Sequence, residues 1–473
     1  MNTTTKRAIL FCSAAAAIAA AAFMLFGWKG MFLKREFTNK EAAWGDLQAK
    51  AEDGILALYR NNTEVWRSDW DWSVQDFCLA DLDGDGEDEL VLLVWKRGSY
   101  GPHRPFWVSH NDICLEQHVF VYKREPERAS QIRALFMSSS VGKDIGGMGT
   151  DGTNLVLKEN GRFTVWDREV FGLKLLNADA AKVDMICLGD QLLHPGLLKE
   201  GMRTDDYSYL YDAIRDDLEK ADLSSLNAET PLVTDKALVS DYPRFASPVG
   251  IADAVSASGV DIVSTANNHA FDLGMNGVET TIRAYEDAGI VCVGTHAQDE
   301  EQDDPSCAFR IVPCNGIRIA FLAFTYGTNG LSDGEHPFAV ESFQNEERMI
   351  CALDLAREKA DAVIVFAHWG TEYERDPDPE QRRLAAIFAE HGADVVIGTH
   401  PHVLQPYETI EGKEGHRTLV YYSLGNLVSS QKEEACKRGG AAQFTLVQTT
   451  DRVAVMDPVL RTLITERGRV RWE

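Results

Sequence analysis

The sequence predicts an α/β fold for its larger C-terminal part, residues 181–473, preceded by a membrane segment, a helical linker and a small β-rich module. Three observations support that division. From about residue 183, short apolar runs ("VDMICLG", "GVDIVSTA", "GIVCVGT", "IRIAFLAF", "DAVIVFA", "ADVVIGT", "TLVYYSLG") alternate with helical patterns, as in a sheet covered by helices on its faces. Upstream, aromatic and alternating runs such as "HVFVYKRE" and "RFTVWDREVFGLKLL" are separated by Gly, Asp and Asn turns, the pattern of a β-rich module. At the N-terminus, "AILFCSAAAAIAAAAFMLFGW" runs for about 21 residues without a charge, between Lys6 and Arg7 on one side and Lys29, Lys34 and Arg35 on the other.

Residues 1–35 read as an uncleaved signal-anchor, because the apolar stretch is long enough to span a bilayer; a cleaved signal peptide is the alternative. Either reading puts the bulk of the chain outside the cytoplasm, where disulfides could persist. Residues 36–71 read as a helical linker, with Ala43, Leu47, Ala51, Ile55 and Leu58 three or four apart. Residues 72–180 form the β-rich module. Within it, "ADLDGDGEDELVLLVW" places Asp81, Asp83, Asp85 and Asp88 in a glycine-containing loop ahead of a strand, a set of hard oxygen ligands suited to calcium. The loop resembles those of FG-GAP or VCBS-type repeats, and an acidic solvated turn is the alternative. In the α/β part, one helix is marked at both ends. Asp378 is its N-cap, Pro379 its first residue, Gln381 completes a capping box, and Gly392 follows its end.

Composition excludes some functions. The 473 residues carry 73 acidic against 47 basic side chains, a net charge of −26, which disfavours nucleic acid as a partner. An anionic substrate would need local cations. The nine cysteines show no CxxC spacing, so a zinc ribbon or thioredoxin-type motif is not indicated.

Ligands in open α/β sheets gather beyond the carboxyl ends of the strands, and here those positions are polar. Asp190 follows "MICLG", Glu229 follows "ADLSSLN", and Asn267, Asn268 and His269 follow "DIVSTA", with Asp272 beyond them. His368 follows "VIVFA", His400 and His402 follow "VVIGT", and Asn426 closes "SLGN". Taken singly, each has an ordinary reading: a turn, a helix cap, a surface acid, a half-buried imidazole. Jointly, carboxylate, amide and imidazole without thiolate suit one or two divalent ions such as manganese, iron, zinc or magnesium.

The stretches "GD" (189–190), "NAE" (227–229, where "NLE" is usual), "ANNHAFDLG", "HWGTEY", "GADVVIGTHPHVLQPYE" and "YSLGN" resemble, in order, the CapA family of capsule and poly-γ-glutamate synthesis proteins, from about 183 to 445. That resemblance implies a calcineurin-like metallophosphatase fold, a central β-sandwich flanked by helices, rather than the single doubly wound sheet that alternation suggests. It further implies Asp190 and His402 on one metal, Glu229 bridging, and Asn268, His368 and His400 on a second, with His269 as general acid oriented by Asp272. One departure stands out: the superfamily opens with Asp-x-His, but here Asp190 is followed by "QLL", and the next histidine is His194. The expected function is a membrane-anchored, metal-dependent phosphoester hydrolase acting on anionic capsular polymer or a phosphorylated precursor, within a membrane polymer-synthesis complex. The alternative is a non-hydrolytic accessory subunit that binds the polymer.

Overall fold

The computed structural model describes residues 37–69, 71–98, 115–128, 130–142, 144–169, 172–298, 303–332 and 334–473. The N-terminal apolar segment lies outside the described residues; among those described, no helix is long and apolar enough to cross a membrane. The chain divides into two compact units, one built from residues up to 77 and from 91–143, the other from 78–90 and 144–473.

The first unit corrects the helical linker. Residues 40–67 form a meander of four antiparallel strands, β1 (Lys40–Trp44), β2 (Leu47–Glu52), β3 (Ile55–Arg60) and β4 (Thr63–Arg67). The turns decide it. Asp53-Gly54 and Asn61-Asn62 all take positive φ, the left-handed conformation of two-residue hairpin turns, and these residue types adopt it at least cost. Leu47, Ala49 and Ala51 are then buried at every second position, a period of two that the three-and-four spacing of the same residues masks. The strands β5 (Trp72–Ala80), β6 (Glu89–Arg97), β7 (Leu115–Arg124) and β8 (Ile132–Met137) form a second four-stranded sheet in sequence order.

The second unit opens with a further four-stranded sheet, β9 (Ile145–Thr150), β10 (Leu155–Glu159), β11 (Arg162–Glu169) and β12 (Gly172–Asn177). Sequence pattern places these strands in the module, but Val156, Phe163 and Val165 pack on Val447, Ala454 and Met456 of the C-terminal strands. A small sheet must cover its apolar face, and here distant residues of the larger domain do so.

The rest is a sandwich of two sheets between helices. The first sheet runs β18 (Val291–Val293), β17 (Ile262–Ser264), β14 (Leu223–Ala228), β13 (Lys182–Gln191), β26 (Arg438–Gln448), β27 (Val453–Glu466), β28 (Arg469–Trp472), with β25 (Asn426–Val428) also paired to β13. The second runs β19 (Phe309–Cys314), β20 (Ile317–Thr325), β21 (Ala362–His368), β22 (Val395–Thr399), β24 (Arg417–Tyr421), β23 (Tyr407–Glu411). Short β15 (Leu232–Val233) and β16 (Ser247–Pro248) pair beside the first. One apolar layer joins the inner faces, with Met185, Ile262 and Phe444 meeting Phe321, Phe366 and Ile397. On the outer face of the first sheet lie α1 (Pro195–Thr204), α2 (Arg215–Leu218) and α3 (Gly250–Ala257), with α4 (Gly274–Asp287) against both the outer and the inner layer. On that of the second lie α5 (Glu346–Lys359) and α6 (Pro379–Glu390). The sandwich expected from the resemblance is the observed architecture. The α6 capping box is formed as predicted: Gln381 N donates to Asp378 Oδ1 (2.8 Å) and Asp378 N to Gln381 Oε1 (3.0 Å).

Phe321 is fully buried and stacks on Phe366 at 6.1 Å between the sheets. Phe321→Ala is expected to cost roughly 3–5 kcal/mol, read as an earlier denaturant midpoint by tryptophan fluorescence. An unchanged midpoint would mean that the inter-sheet layer relaxes to fill the cavity.

Candidate metal centre

The central parallel strands β13, β14, β17, β21 and β22 deliver the site residues at or just beyond their carboxyl ends. Asp190 and Glu229 are fully buried, and Asn268, His269, His368, His400 and His402 are each at most 6% exposed. Gly189 makes the approach possible. A Cβ there would lie 1.9 Å from Gly425 O, and the close backbone contact lets Asp190 N donate to that same oxygen at 2.9 Å.

The structure brings all six expected metal ligands together. Ligand atoms of Asp190, Glu229 and His368 lie within 4.8 Å of one another, as do those of Glu229, His400 and His402. Glu229 is common to both groups, the placement a bridging carboxylate requires, but the groups cut across the division the resemblance implies, setting His368 with Asp190 and His400 with His402. Asn268 Oδ1 lies 3.0 Å from His368 Nε2. His402 Nδ1 lies 3.0 Å from Asp190 Oδ2, and its Nε2 lies 3.7 Å from Glu229 Oε1. His368 Nε2 lies 3.8 Å from the same oxygen, while its Nδ1 is 3.0 Å from Thr399 Oγ1. That hydroxyl orients the ring and leaves Nε2 toward the shared oxygen.

Two buried atoms test whether a cation fits. Among the described residues, Glu229 Oε1 and His400 Nδ1 have no hydrogen-bond partner. Buried polar groups are rarely left so, and an oxygen between two imidazole nitrogens with an imidazole nitrogen nearby is a donor set for a divalent ion. The backbone is strained here as well: His400 and His402 have φ of 95° and 59°. For non-glycine residues such values cost free energy and cluster at functional sites.

Electrostatics agree with this reading. Burial, with the Asp190 carboxylate beside it, pushes the Glu229 carboxyl well above its ordinary range. Burial, with neighbouring imidazoles adding repulsion, holds His368 well below the ordinary imidazole value and His400 down to about 3. Neutral imidazoles are the form that binds metal. In metal-free protein the depressed imidazoles make folding stability fall as pH drops below the unfolded value of 6.5. Glu229 acts in the opposite sense, losing stability as pH rises through its raised value. His400→Gln removes one imidazole contribution, so chelator-treated H400Q should lose less melting temperature than chelator-treated wild type between about pH 6.5 and pH 5. An identical drop in both proteins would contradict the assignment.

His269 stands beside this cluster. Its Nδ1 lies 2.8 Å from Asp272 Oδ2, which also accepts Phe245 N at 2.7 Å, and its ring meets Phe245 edge-on at 4.7 Å. Asp272 and Phe245 thus fix the imidazole from two sides and leave Nε2 as its exchangeable nitrogen. Asn267 stays structural: its side chain donates to Ala228 O (2.9 Å) and accepts from His269 N (3.1 Å). Asn426 is structural too, donating to Gln431 Oε1 (2.8 Å) and Cys436 O (2.9 Å).

Other positions depart from simple expectation. Leu192, two residues after Asp190, is 3% exposed, so an apolar side chain holds the place of the Asp-x-His imidazole. His194 does not replace it; its Nδ1 faces Leu192 O at 3.2 Å, and its ring packs edge-on against Phe245 at 5.4 Å. Sequence reasoning missed Asn227, whose Nδ2 donates to Asp190 Oδ1 at 2.8 Å and reaches Glu229 Oε2 at 3.4 Å. It lay in view within "NAE". Tyr326, just past β20, was also missed; its ring lies 4.7 Å from that of His400 and 6.3 Å from that of His368. Reading the end of β20 as the other strand ends were read would have found it. Trp369 packs, being 1% exposed with its indole N–H on Tyr422 O at 2.9 Å, whereas Tyr373 is 51% exposed and 6.3 Å from the His402 ring.

Of the acidic loop, Asp81, Asp83 and Asp85 come within 4.8 Å of one another. Asp88 does not join them; it pairs with Arg417. Asp81 accepts the N–H groups of Gly84 (2.8 Å), Asp85 (3.1 Å) and Gly86 (2.9 Å), and Asp83 pairs with Arg168 at 3.2 Å.

Residues 184–431 match the family described as bacterial capsule synthesis protein PGA_cap. Over 291 residues the chain is 30% identical to the capsule biosynthesis protein CapA of Bacillus anthracis, covering 59% of this chain and 67% of that one. Over 222 residues it is 30% identical to the PGA biosynthesis protein CapA of Bacillus subtilis, covering 44% of this chain and only 56% of that one. Among solved structures, a 5'-nucleotidase precursor from Thermus thermophilus aligns with a TM-score of 0.36 at 13% identity, covering 62% of this chain and 56% of that one.

Proposed function

The chain belongs to the bacterial capsule synthesis protein family, and from that premise we propose that it is a metal-dependent phosphoester hydrolase, held at the membrane with its bulk outside the cytoplasm, acting on an anionic capsular polymer such as poly-γ-glutamate or on its phosphorylated carrier. The observation that carries this reading is the pair of partnerless atoms, Glu229 Oε1 and His400 Nδ1, inside a buried set of carboxylate, amide and imidazole donors. Asp190 and His402 would hold one ion, Asn268, His368 and His400 the other, with Glu229 shared. Such ions, when bound, supply Lewis-acid polarisation of a phosphoryl oxygen and a lowered pKa for bound water. The chain's own residues do the rest. Asn227 and the His400 N–H, 3.2 Å from Asp190 Oδ2, hold the Asp190 carboxylate in one orientation. His269, fixed by Asp272, donates its Nε2 proton to the leaving oxygen. In a protein of net charge −26, the ions also provide the positive charge an anionic substrate needs.

Purified protein loaded with manganese is assayed against a phosphomonoester, a phosphodiester and poly-γ-glutamate, with metal counted per chain. Turnover of a phosphoester above that of metal-free protein is expected. No turnover of any substrate above a His269→Ala control would sink the hydrolase reading. One observation favours a second reading: Leu192 in place of the Asp-x-His imidazole removes a ligand from the Asp190 side. A non-hydrolytic accessory subunit of a polymer synthesis complex, binding polymer through metal, would show tight polymer binding with no turnover.

Calcium at Asp81, Asp83 and Asp85 is a separate and weaker expectation. The ion would have to displace Arg168 from Asp83, and at Asp81 it would share a carboxylate that already accepts three backbone N–H groups. Calorimetric titration is therefore expected to give a dissociation constant of about 1 mM, and a micromolar one would contradict this account of the loop.

A further inference from the structure

A second buried group of reactive side chains lies outside the metal centre. It draws on four separate segments: His296 just after β18, Cys307 in a single 3-10 turn (Pro305–Ala308) before β19, Glu341 between β20 and α5, and Arg348 in α5. His296 Nε2 lies 3.0 Å from Glu341 Oε1. Arg348 Nε lies 3.2 and 3.0 Å from the two Glu341 oxygens, and its Nη2 lies 2.7 Å from Oε1. The same Nη2 lies 3.3 Å from Cys307 Sγ. His296 and Glu341 are each 1% exposed, while Cys307 is half-buried.

Charge balance distinguishes the states of this group. Arg348 is always charged, and one carboxylate, Glu341, neutralises it. A protonated His296 would then leave an excess positive charge in a buried place, unless Cys307 is a thiolate. Of the other charged groups nearby, Asp304 caps Ser306 N at 2.8 Å, and Arg310 donates to the Cys307 carbonyl at 2.6 Å. Burial alone pushes the thiol up, yet His296 and Arg348 outweigh it and hold Cys307 below the ordinary thiol range. Atoms of His296, Cys307 and Glu341 also lie within 4.8 Å of one another, as metal ligands would. The Arg348 guanidinium already contacts two of those three, however, and a fixed positive charge disfavours a cation there.

We propose that Cys307 is a modification site, a thiolate held by Arg348 and His296 that reacts with small electrophiles, hydroperoxides above all. The sulfur attacks the terminal peroxide oxygen; an S–O bond forms as the O–O bond breaks, sulfur is oxidised by two electrons to the sulfenic acid, and the peroxide leaves as alkoxide or hydroxide that takes up one proton. Chemistry in the metal centre plays no part in this, so it stands or falls independently of the proposed function.

The test is site-resolved alkylation of the full-length protein by iodoacetamide across pH, read by peptide mass spectrometry. Cys351, exposed on α5, is the reference thiol in the same molecule. Cys307 is expected to reach half its limiting rate at least about one pH unit below Cys351, and so to react about tenfold faster in its thiolate-dependent range when each is scaled to its own plateau. Hydrogen peroxide followed by dimedone is expected to label Cys307 ahead of Cys351. In Arg348→Gln, and separately in His296→Asn, the advantage should shrink while the Cys351 profile stays unchanged, with an unaltered circular dichroism spectrum reporting that the fold is retained. A Cys307 profile that coincides with that of Cys351, or a Cys307 that stays unreacted while Cys351 is consumed, overturns the proposal. Stoichiometric protection of Cys307 by zinc also overturns it, in favour of a metal site.

Discussion

His269→Ala is expected to lower phosphoester turnover by roughly 10²–10⁴-fold, the usual contribution of a positioned general acid, with metal content per chain unchanged. The separation of those two readouts follows from the geometry. His269 Nδ1 is engaged with Asp272 at 2.8 Å, and His269 belongs to neither of the two ligand groups that share Glu229. The loss should be smaller for a substrate whose leaving group is already acidic, such as a nitrophenyl ester, because less proton donation is needed in its transition state. Asp272→Asn should lower turnover of alkyl esters as well, through loss of ring orientation. Equal losses on acidic and alkyl leaving groups would argue that His269 positions substrate and does not protonate it.

Glu229→Gln is expected to weaken divalent-metal binding roughly 100-fold or more and to abolish turnover with it. Glutamine suits the test because it copies the shape of the protonated carboxyl. In the metal-free fold, burial and Asp190 favour that neutral form of Glu229, so E229Q removes the charge the ions need without leaving a cavity or a new buried charge. The variant should melt at or above the temperature of chelator-treated wild type and gain little on adding manganese, whereas wild type gains as any protein does whose folded state alone binds a ligand. A variant that still binds two ions per chain with unchanged affinity would remove Glu229 from the bridging position.

The chemistry of the centre was legible in the sequence because each ligand follows an apolar strand, and strand ends in parallel sheets converge. Asp190, Glu229, Asn268, His368, His400 and His402 were all named from that rule or from the motifs, and the structure gathers them. The α6 helix was equally legible, since a capping box is a contact between residues three apart. Where the reading failed, the deciding contact lay elsewhere in the chain or in a turn whose conformation outweighed periodicity. Residues 40–67 are strands because Asp53-Gly54 and Asn61-Asn62 reverse the chain, although Leu47, Ala51, Ile55 and Leu58 also fit a helix. Asp88 looked like a fourth calcium ligand until Arg417, over three hundred residues away in the chain, was found to pair with it.

By itself, then, the sequence determined the identities of the candidate ligand residues, their order along the chain, the strands that carry them and the helix ends that periodicity and capping define, all of which depend on residues near one another. Only the tertiary structure decided that Asn227 holds Asp190, that Phe245 fixes His269, and that Cys307 meets His296 and Arg348. Each of these is a contact between segments the chain leaves far apart. Such contacts are set by which faces the two sheets bury against one another, and local propensity carries no record of that choice.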